Sequence, residues 1–315
     1  MNHPAGAFHG GEMRAQEIAG VRDKMAKIGA TLVRDFMPDQ HREFFPLLPT
    51  LLLGGRDAEE QVWASILWGE PGFIRSPDPV TLHVAAGLPP EDPLAPVLLV
   101  GRRLGALGLQ FETRRRNRAN GVVTACDRDG FTLAVQQSFG NCPKYIQTRE
   151  AVRRLPLPPA APPPPAMSGS GALPPDALAL VRASDTFFIA TASAAGGAHG
   201  ADVSHRGGRP GFVDVAADGS LVWPDFQGNN FFNTIGNLLD DPRAGLLFID
   251  FARGDLLQLT GKADIVWDGE QVARLPKAQR LLRFRAQRYL WRRSALPLRW
   301  QLCEPSPHLE GTGTW

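Results

Sequence analysis

The sequence is poor in cysteine, has no long apolar run, and carries no excess of either charge. Its three cysteines, Cys126, Cys142 and Cys303, are scattered and form no CxxC pair, which excludes a disulfide framework and a structural zinc site. No apolar stretch approaches the ~20 residues of a membrane-spanning helix. The start, "MNHPAGAFHGGEMRAQ", has no basic segment followed by an apolar one, so no secretory signal is read there and the expected location is the cytoplasm. Lys+Arg 34 against Asp+Glu 32 leaves a net charge of +2, too small to argue for nucleic acid or a membrane surface. The histidines His3, His9, His41, His83, His199 and His308 stand apart with no ligand spacing, so no metal site is expected. No acid/base pair or nucleophile triad is visible, which disfavours hydrolysis and acyl transfer and leaves the catalytic residues unassigned.

Proline and glycine, in contrast, are plentiful, at 28 and 33 residues. From Leu155 to Pro175 runs "LPLPPAAPPPPAMSGSGALPP". Consecutive prolines fix φ and remove donors, so this stretch predicts an extended linker with a flexible "SGSG" end. It divides the chain into residues 1–154 and 176–315. The two parts echo one another. "GEPGFI" at Gly69–Ile74 returns as "GRPGFV" at Gly208–Val213, with Pro71 and Pro210 139 residues apart. At an offset of 140, Gly105 falls on Gly245, Phe111 on Phe251 and Gly121 on Gly261. A chance echo would not hold register across so many positions, so a tandem duplication is read. Each copy shows about six short β-rich runs with Gly/Pro punctuation, which predicts a barrel or sandwich rather than a doubly wound sheet. The PGF turn reads as a hairpin connection. In "NNFFNTIGNLLDDP" the apolar residues Phe231, Phe232, Ile235, Leu238 and Leu239 share one helical face, Asn229 opens the helix, and Asp241-Pro242 stops it. A further helical stretch is expected from about Glu12.

The ordered set "FFIATAS", "VSHRGGRPGFV", "LVWPDFQGNNFFNTIGNLLDDPRAGLLFIDF" and "LLQLTGKADIVW", over roughly Leu178 to Trp267, resembles the FMN-binding split-barrel family of pyridoxamine 5'-phosphate oxidase. The first part resembles it more weakly, up to about Arg149. The resemblance implies a mainly β fold of two tandem FMN-binding split barrels packed as a pseudo-dimer. The first, 1–154, would be degenerate; 155–175 would be the linker, and 176–315 the FMN-binding barrel. It implies FMN as cofactor and a flavin-dependent oxidoreductase acting on a small-molecule substrate or electron donor, with a reductase partner as one source of electrons. The site it implies comprises Ser204, His205, Arg206, Trp223, Pro224, Asn229, Asn230 and Gln258. A flavin phosphate is dianionic and needs fixed N–H donors and a cation. Arg206, with Arg209 nearby, would supply the charge. Asn229 and Asn230 stand where the family carries an Arg-Lys pair, so here those positions donate hydrogen bonds without charge.

The first part lacks that cradle but ends in "LAVQQSFGNCPKYIQTR", where Gln137 and Ser138 match a Gln-Ser pair that family members offer from the opposite subunit. One composite site per chain follows as the expectation. The alternative is a homodimer pairing second barrel to second barrel, which would leave Gln137 far from the flavin. In "FETRRRNRANG" strand alternation puts Arg114, Arg116 and Arg118 on one face, either solvated or facing an anion. Cys142 reads as a small half-buried residue beside Pro143, with a reactive thiol as the lesser reading. The basic-aromatic segment Leu281–Trp300 reads as a helix packing on the second barrel, or as a docking surface. Two rivals to the oxidoreductase stay open: a haem-binding or haem-degrading split barrel using His199 or His205, and a flavin-binding or electron-transfer module without a substrate.

Overall fold

The computed structural model describes residues 6–154, 164–193 and 200–315. The first part opens with helices α1 (Gly10–Ile18), α2 (Arg22–Leu32) and α3 (Asp39–Arg42). Strands β1 (Thr50–Arg56), β2 (Val62–Trp68), β3 (Ile74–Arg75), β4 (Thr81–Val84), β5 (Arg103–Gln110), β6 (Arg115–Asp127) and β7 (Gly130–Gly140) follow. Next come β8 (Thr148–Arg154), β9 (Met167–Ser170) and α4 (Pro175–Ala183). The second part holds β10 (Thr186–Ala192), β11 (Ala201–Gly207), β12 (Asp214–Val215), β13 (Leu221–Phe226), α5 (Asn233–Asp240), β14 (Arg243–Ile249) and β15 (Leu256–Val266). It closes with α6 (Glu270–Ala273), β16 (Ala278–Arg292) and β17 (Leu298–Glu304).

The fold is mainly β, built on two large antiparallel sheets. Their strand orders are β2-β1-β5-β6-β7-β4-β3 and β11-β10-β14-β15-β16-β13-β12, the same order element for element. Seven strands lie along each of these paths, where about six are expected, because a two-residue strand follows each PGF turn; β9 beside β16 makes an eighth in the second sheet. The registers agree as well: Leu52 pairs with Ile66 and Leu107 with Arg118, as Phe188 pairs with His205 and Leu247 with Gln258.

The PGF turns are not hairpins. β2 and β3 lie at opposite edges of their sheet, as do β11 and β12. A turn of a few residues can join the two edges only if the sheet curls round on itself, which is the step from sheet to barrel. Gly72 and Gly211 supply the left-handed angles, φ 95° and 84°.

Each sheet wraps its own core. Leu51, Leu53, Ala119 and Leu133 fill the first, and Phe187, Trp223, Leu246 and Phe284 the second. A third apolar cluster lies between the two, where Leu52, Ile66 and Leu107 meet Phe188, Val203 and Leu247. Two glycines let the sheets approach there. A Cβ on Gly105 would stand 2.6 Å from the Asp202 Cα, and one on Gly245 would stand 2.5 Å from the Trp63 Cα. The offset of 140 between these glycines thus marks one contact made twice.

Two further expectations change. Leu281–Trp300 is not helical but forms most of β16 and the start of β17, with Leu282 and Phe284 buried while Arg283 and Arg285 face outward to Asp218 and Asp264. These two arginines thus each have an intramolecular partner. Met167–Ser170, read as part of a flexible end, is strand β9 against β16. Residues 155–163 of the proline stretch lie outside the described residues, as do His3 and His199. No described helix is long and apolar enough to cross a membrane.

Candidate functional site

A cleft opens where the two sheets meet, with a cavity volume of about 110 Å³, or about 880 Å³ when the open solvent at its entrance is counted. One wall belongs to the second sheet: Ser204, His205, Arg206 and Gly207 of β11, Pro224 to Phe226 of β13, and the stretch from Gly228 to the start of α5. The other wall belongs to the first: Arg116 and Arg118 of β6, with Asn141, Cys142, Lys144 and Tyr145 beyond β7. Strand alternation aims Arg116 and Arg118 the same way and sends Arg115 to the Phe44 ring. Arg114, expected to share the face of Arg116 and Arg118, instead donates to the Ile146 carbonyl.

Arg118 is the staple between the walls. Its guanidinium donates to the Val203 carbonyl at 2.8 Å, the Ser204 hydroxyl at 2.6 Å and Asn233 Oδ1 at 3.0 Å, and pairs with Asp202 at 2.7 Å. Arg206 pairs with Asp225 at 3.0 Å, and Arg280 approaches the other oxygen of that carboxylate at 3.4 Å. Arg116 donates to the Cys142 carbonyl, and among the described residues neither it nor Lys144 meets a carboxylate. The cleft lining therefore holds four cations and one carboxylate, with five side-chain amides beside them. Burial, with Arg118 and Arg206 close by, pushes the Arg116 pKa down to about 9. Burial also holds His205 well below the ordinary imidazole value, and the Arg116, Arg149 and Arg206 guanidinium groups add to it, so this ring is neutral. Arg206 Nε, His205 Nε2 and Asn141 Oδ1 are buried with no hydrogen-bond partner. These three are among the buried polar atoms without a protein partner, and all three border this one cationic cleft.

The site residues read from sequence divide into two groups. Ser204, His205, Arg206, Pro224, Asn229 and Asn230 all line the cleft. The helix does not open at Asn229, however. It starts at Asn233 behind Phe232, whose φ is 63°, and Asn229 Oδ1 instead accepts from the Phe231 N–H at 3.2 Å. Asn230 is itself left-handed, φ 61°. The other four calls lie elsewhere. Trp223 is buried in the second core against Phe187, because alternation along β13 turns it inward. Gln137 accepts from Asn120 at 3.0 Å, and Ser138 bonds His41 at 3.0 Å. Gln258 is buried in a polar knot with Ser65, Asp92 and Arg292. Cleft residues that the resemblance did not supply are Arg116, Arg118, Asn141, Cys142, Lys144 and Tyr145; the alternation within "RRRNR" was the available signal for the first two.

The knot at Gln258 is the cleft's counterpart in the other half of the molecule. Gln258 donates to the Ala64 carbonyl and the Ser65 hydroxyl, both at 3.0 Å, as Arg118 donates to Val203 and Ser204. In the matching register Ile66 and Leu67 replace His205 and Arg206, and Leu256 replaces Arg116. All three are buried. Asp92, bonded by Ser65, Gln258 and Arg292, fills what remains.

Residues 173–297 match the family model described as pyridoxamine 5'-phosphate oxidase. This part of the chain is similar to that family. The matched segment carries the β11–β13–α5 wall; residues 116–145 of the facing wall lie before it. No curated protein matches the chain. Among solved structures, similarity extends to a putative pyridoxamine 5'-phosphate oxidase from Lactobacillus delbrueckii (13% identity, 38% of this chain and 93% of that one, TM-score 0.30). It extends also to an FMN-binding protein from Syntrophomonas wolfei (11%, 37% and 86%, 0.28) and to the haem storage protein HutZ from Vibrio cholerae (15%, 39% and 95%, 0.28).

Proposed function

We propose that the chain is a duplicated split barrel whose two halves pack as a dimer within one molecule, and that it holds one FMN in the cleft between them as a flavin-dependent oxidoreductase. The observation that carries this reading is the contrast between the two equivalent places. The same strands in the same register take Leu256, Ile66 and Leu67 on one side and Arg116, His205 and Arg206 on the other. The fold does not require the charged set, and burying it without a ligand is costly. A multi-oxygen anion repays that cost.

The residues fit such a group. Arg116, Arg206 and Lys144 bring charge, the amides of Asn141, Asn229 and Asn230 bring neutral donors, and the unpaired Arg206 Nε–H is free to donate to an anion. The two cations that the family places at 229 and 230 are absent, and Arg116 and Lys144 of the facing half supply charge in their stead. Pro224, Phe226, Phe232 and Tyr145 give the cleft the apolar surface a flavin ring needs. When bound, the flavin supplies the hydride or electron transfer. The protein's own residues bind it, orient it and screen it from water.

The visible spectrum of the purified full-length chain, before and after adding FMN, tests the reading. Two flavin bands that stay with the protein through gel filtration are the expected result. A single intense Soret band would assign the cleft to haem, with His205 as the candidate ligand. A colourless protein that leaves added FMN free in solution would refute the flavin reading.

A further inference from the structure

Tyr145 belongs to the first part of the chain and lines the cleft, and its hydroxyl donates to the Gln227 carbonyl of the second part at 3.1 Å. Its ring lies against Phe226 with centroids 5.2 Å apart, also across the cleft. Its backbone is pinned: Ser306 Oγ accepts from the Tyr145 N–H at 3.1 Å, and Gln147 Nε2 donates to the Tyr145 carbonyl at 3.4 Å. That carbonyl also packs on Gly207, where a Cβ would stand only 1.9 Å away. The pinned backbone is left-handed, φ 64°, a conformation that costs a residue with a side chain free energy and persists only where the surroundings enforce it. The facing wall holds two more such residues, Asn230 and Phe232. The backbone is thus fixed, and only the half-buried side chain can move.

We propose that Tyr145 is the gate of the cleft: its side chain is the strap between the two walls, and it must swing aside for a ligand to enter or leave. The flavin reading says what passes; the gate itself is a property of the chain. One hydrogen bond and two ring contacts, with Phe226 and edge-on with His308 at 6.2 Å, hold it, so the open state lies within reach of thermal fluctuation, and removing the hydroxyl raises its population.

Cys142 lines the same cleft and reports on access without any ligand. In the full-length chain carrying Cys126→Ser and Cys303→Ser, the rate at which Cys142 reacts is measured with two reagents. One is a bulky aromatic disulfide, dithiobis(nitrobenzoate); the other is the small methyl methanethiosulfonate. Tyr145→Phe keeps the ring and loses the hydroxyl, and is expected to speed the bulky reagent by about two- to tenfold, the factor one hydrogen bond is worth. Tyr145→Ala is expected to speed it further, and the small reagent should change little in either variant. Unchanged bulky-reagent rates in Tyr145→Phe overturn the gate. Equal acceleration of both reagents also overturns it, since that signals general loosening of the segment. FMN dissociation followed by flavin fluorescence should accelerate in step with the bulky-reagent rate. Absence of FMN binding to the parent chain would sink the flavin reading and leave the gate to be decided by the thiol kinetics.

Discussion

Arg118 holds Ser204 as Gln258 holds Ser65: each reaches from the sixth strand of its own sheet to a carbonyl and the next hydroxyl on the edge strand of the other. The two contacts are related by the internal repeat, but they differ in charge. Arg118 is paired with Asp202 and opens onto a cleft, while Gln258 is neutral and faces Asp92 in a sealed knot. One position of the fold has two settings, a cleft wall and a plug.

The charged wall can be removed by copying the sealed one. Arg116→Leu installs the residue found at the equivalent place, Leu256. FMN affinity should fall by roughly 1.5–3 kcal/mol, the worth of a hydrogen bond to a charged group. Thermal stability should hold or rise, because a half-buried cation with no carboxylate partner is lost. Fluorescence titration and a melting curve on the same sample check both halves of this expectation.

The plug should show the opposite signature. Asp92 and Arg292 are both buried and 2.9 Å apart, and Asp92→Ala leaves the guanidinium without a counter-charge, bonded only to Gln258. A loss of about 3–5 kcal/mol is expected, read by urea unfolding. FMN affinity should not change while the protein stays folded.

Much of this was legible in the sequence because a repeat preserves register. The PGF words, the glycines at 105 and 245, and the lining residues Ser204, His205 and Arg206 could all be found by pattern. Where the structure places residues away from the cleft or in another element, each case has its own physical source. Trp223 and Pro224 are neighbours in sequence, yet β13 turns one into the core and the other to the cleft. Gln137 and Ser138 sit on β7 while the chain reaches the cleft only at Asn141, just past the strand's end. Leu281–Trp300 was read as helical although Leu282, Arg283, Phe284 and Arg285 alternate with the period of a strand. Gln258 could be assigned only from the contact across the two halves, which no local pattern records.

Stability should carry a pH signature from Glu12, buried at the start of α1. Burial pushes its pKa up to about 8 from 4.5, against the hydrogen bonds from the His9 N–H and the Asn233 amide. Between those values the folded chain holds a proton that the unfolded chain has released. This contribution is therefore fully present below about 4.5 and is lost as the pH rises to about 8. Glu12→Gln cannot ionise. Measured by denaturant at each pH, its stability relative to the parent should improve steadily from pH 4.5 to 8. Other groups, such as His41 with its pKa lowered to about 4, cancel in that difference. A flat difference across this range would show that Glu12 is ionised in the folded protein throughout.

The central claim, one ligand cleft built from both halves and one place sealed, is tested most directly by titrating the full-length chain with FMN and counting the sites. The account predicts saturation at one FMN per chain, with Arg116→Leu weakening that single site at least about tenfold, as loss of a charged contact should. Two equivalents bound per chain, or a single site indifferent to Arg116→Leu, would contradict it.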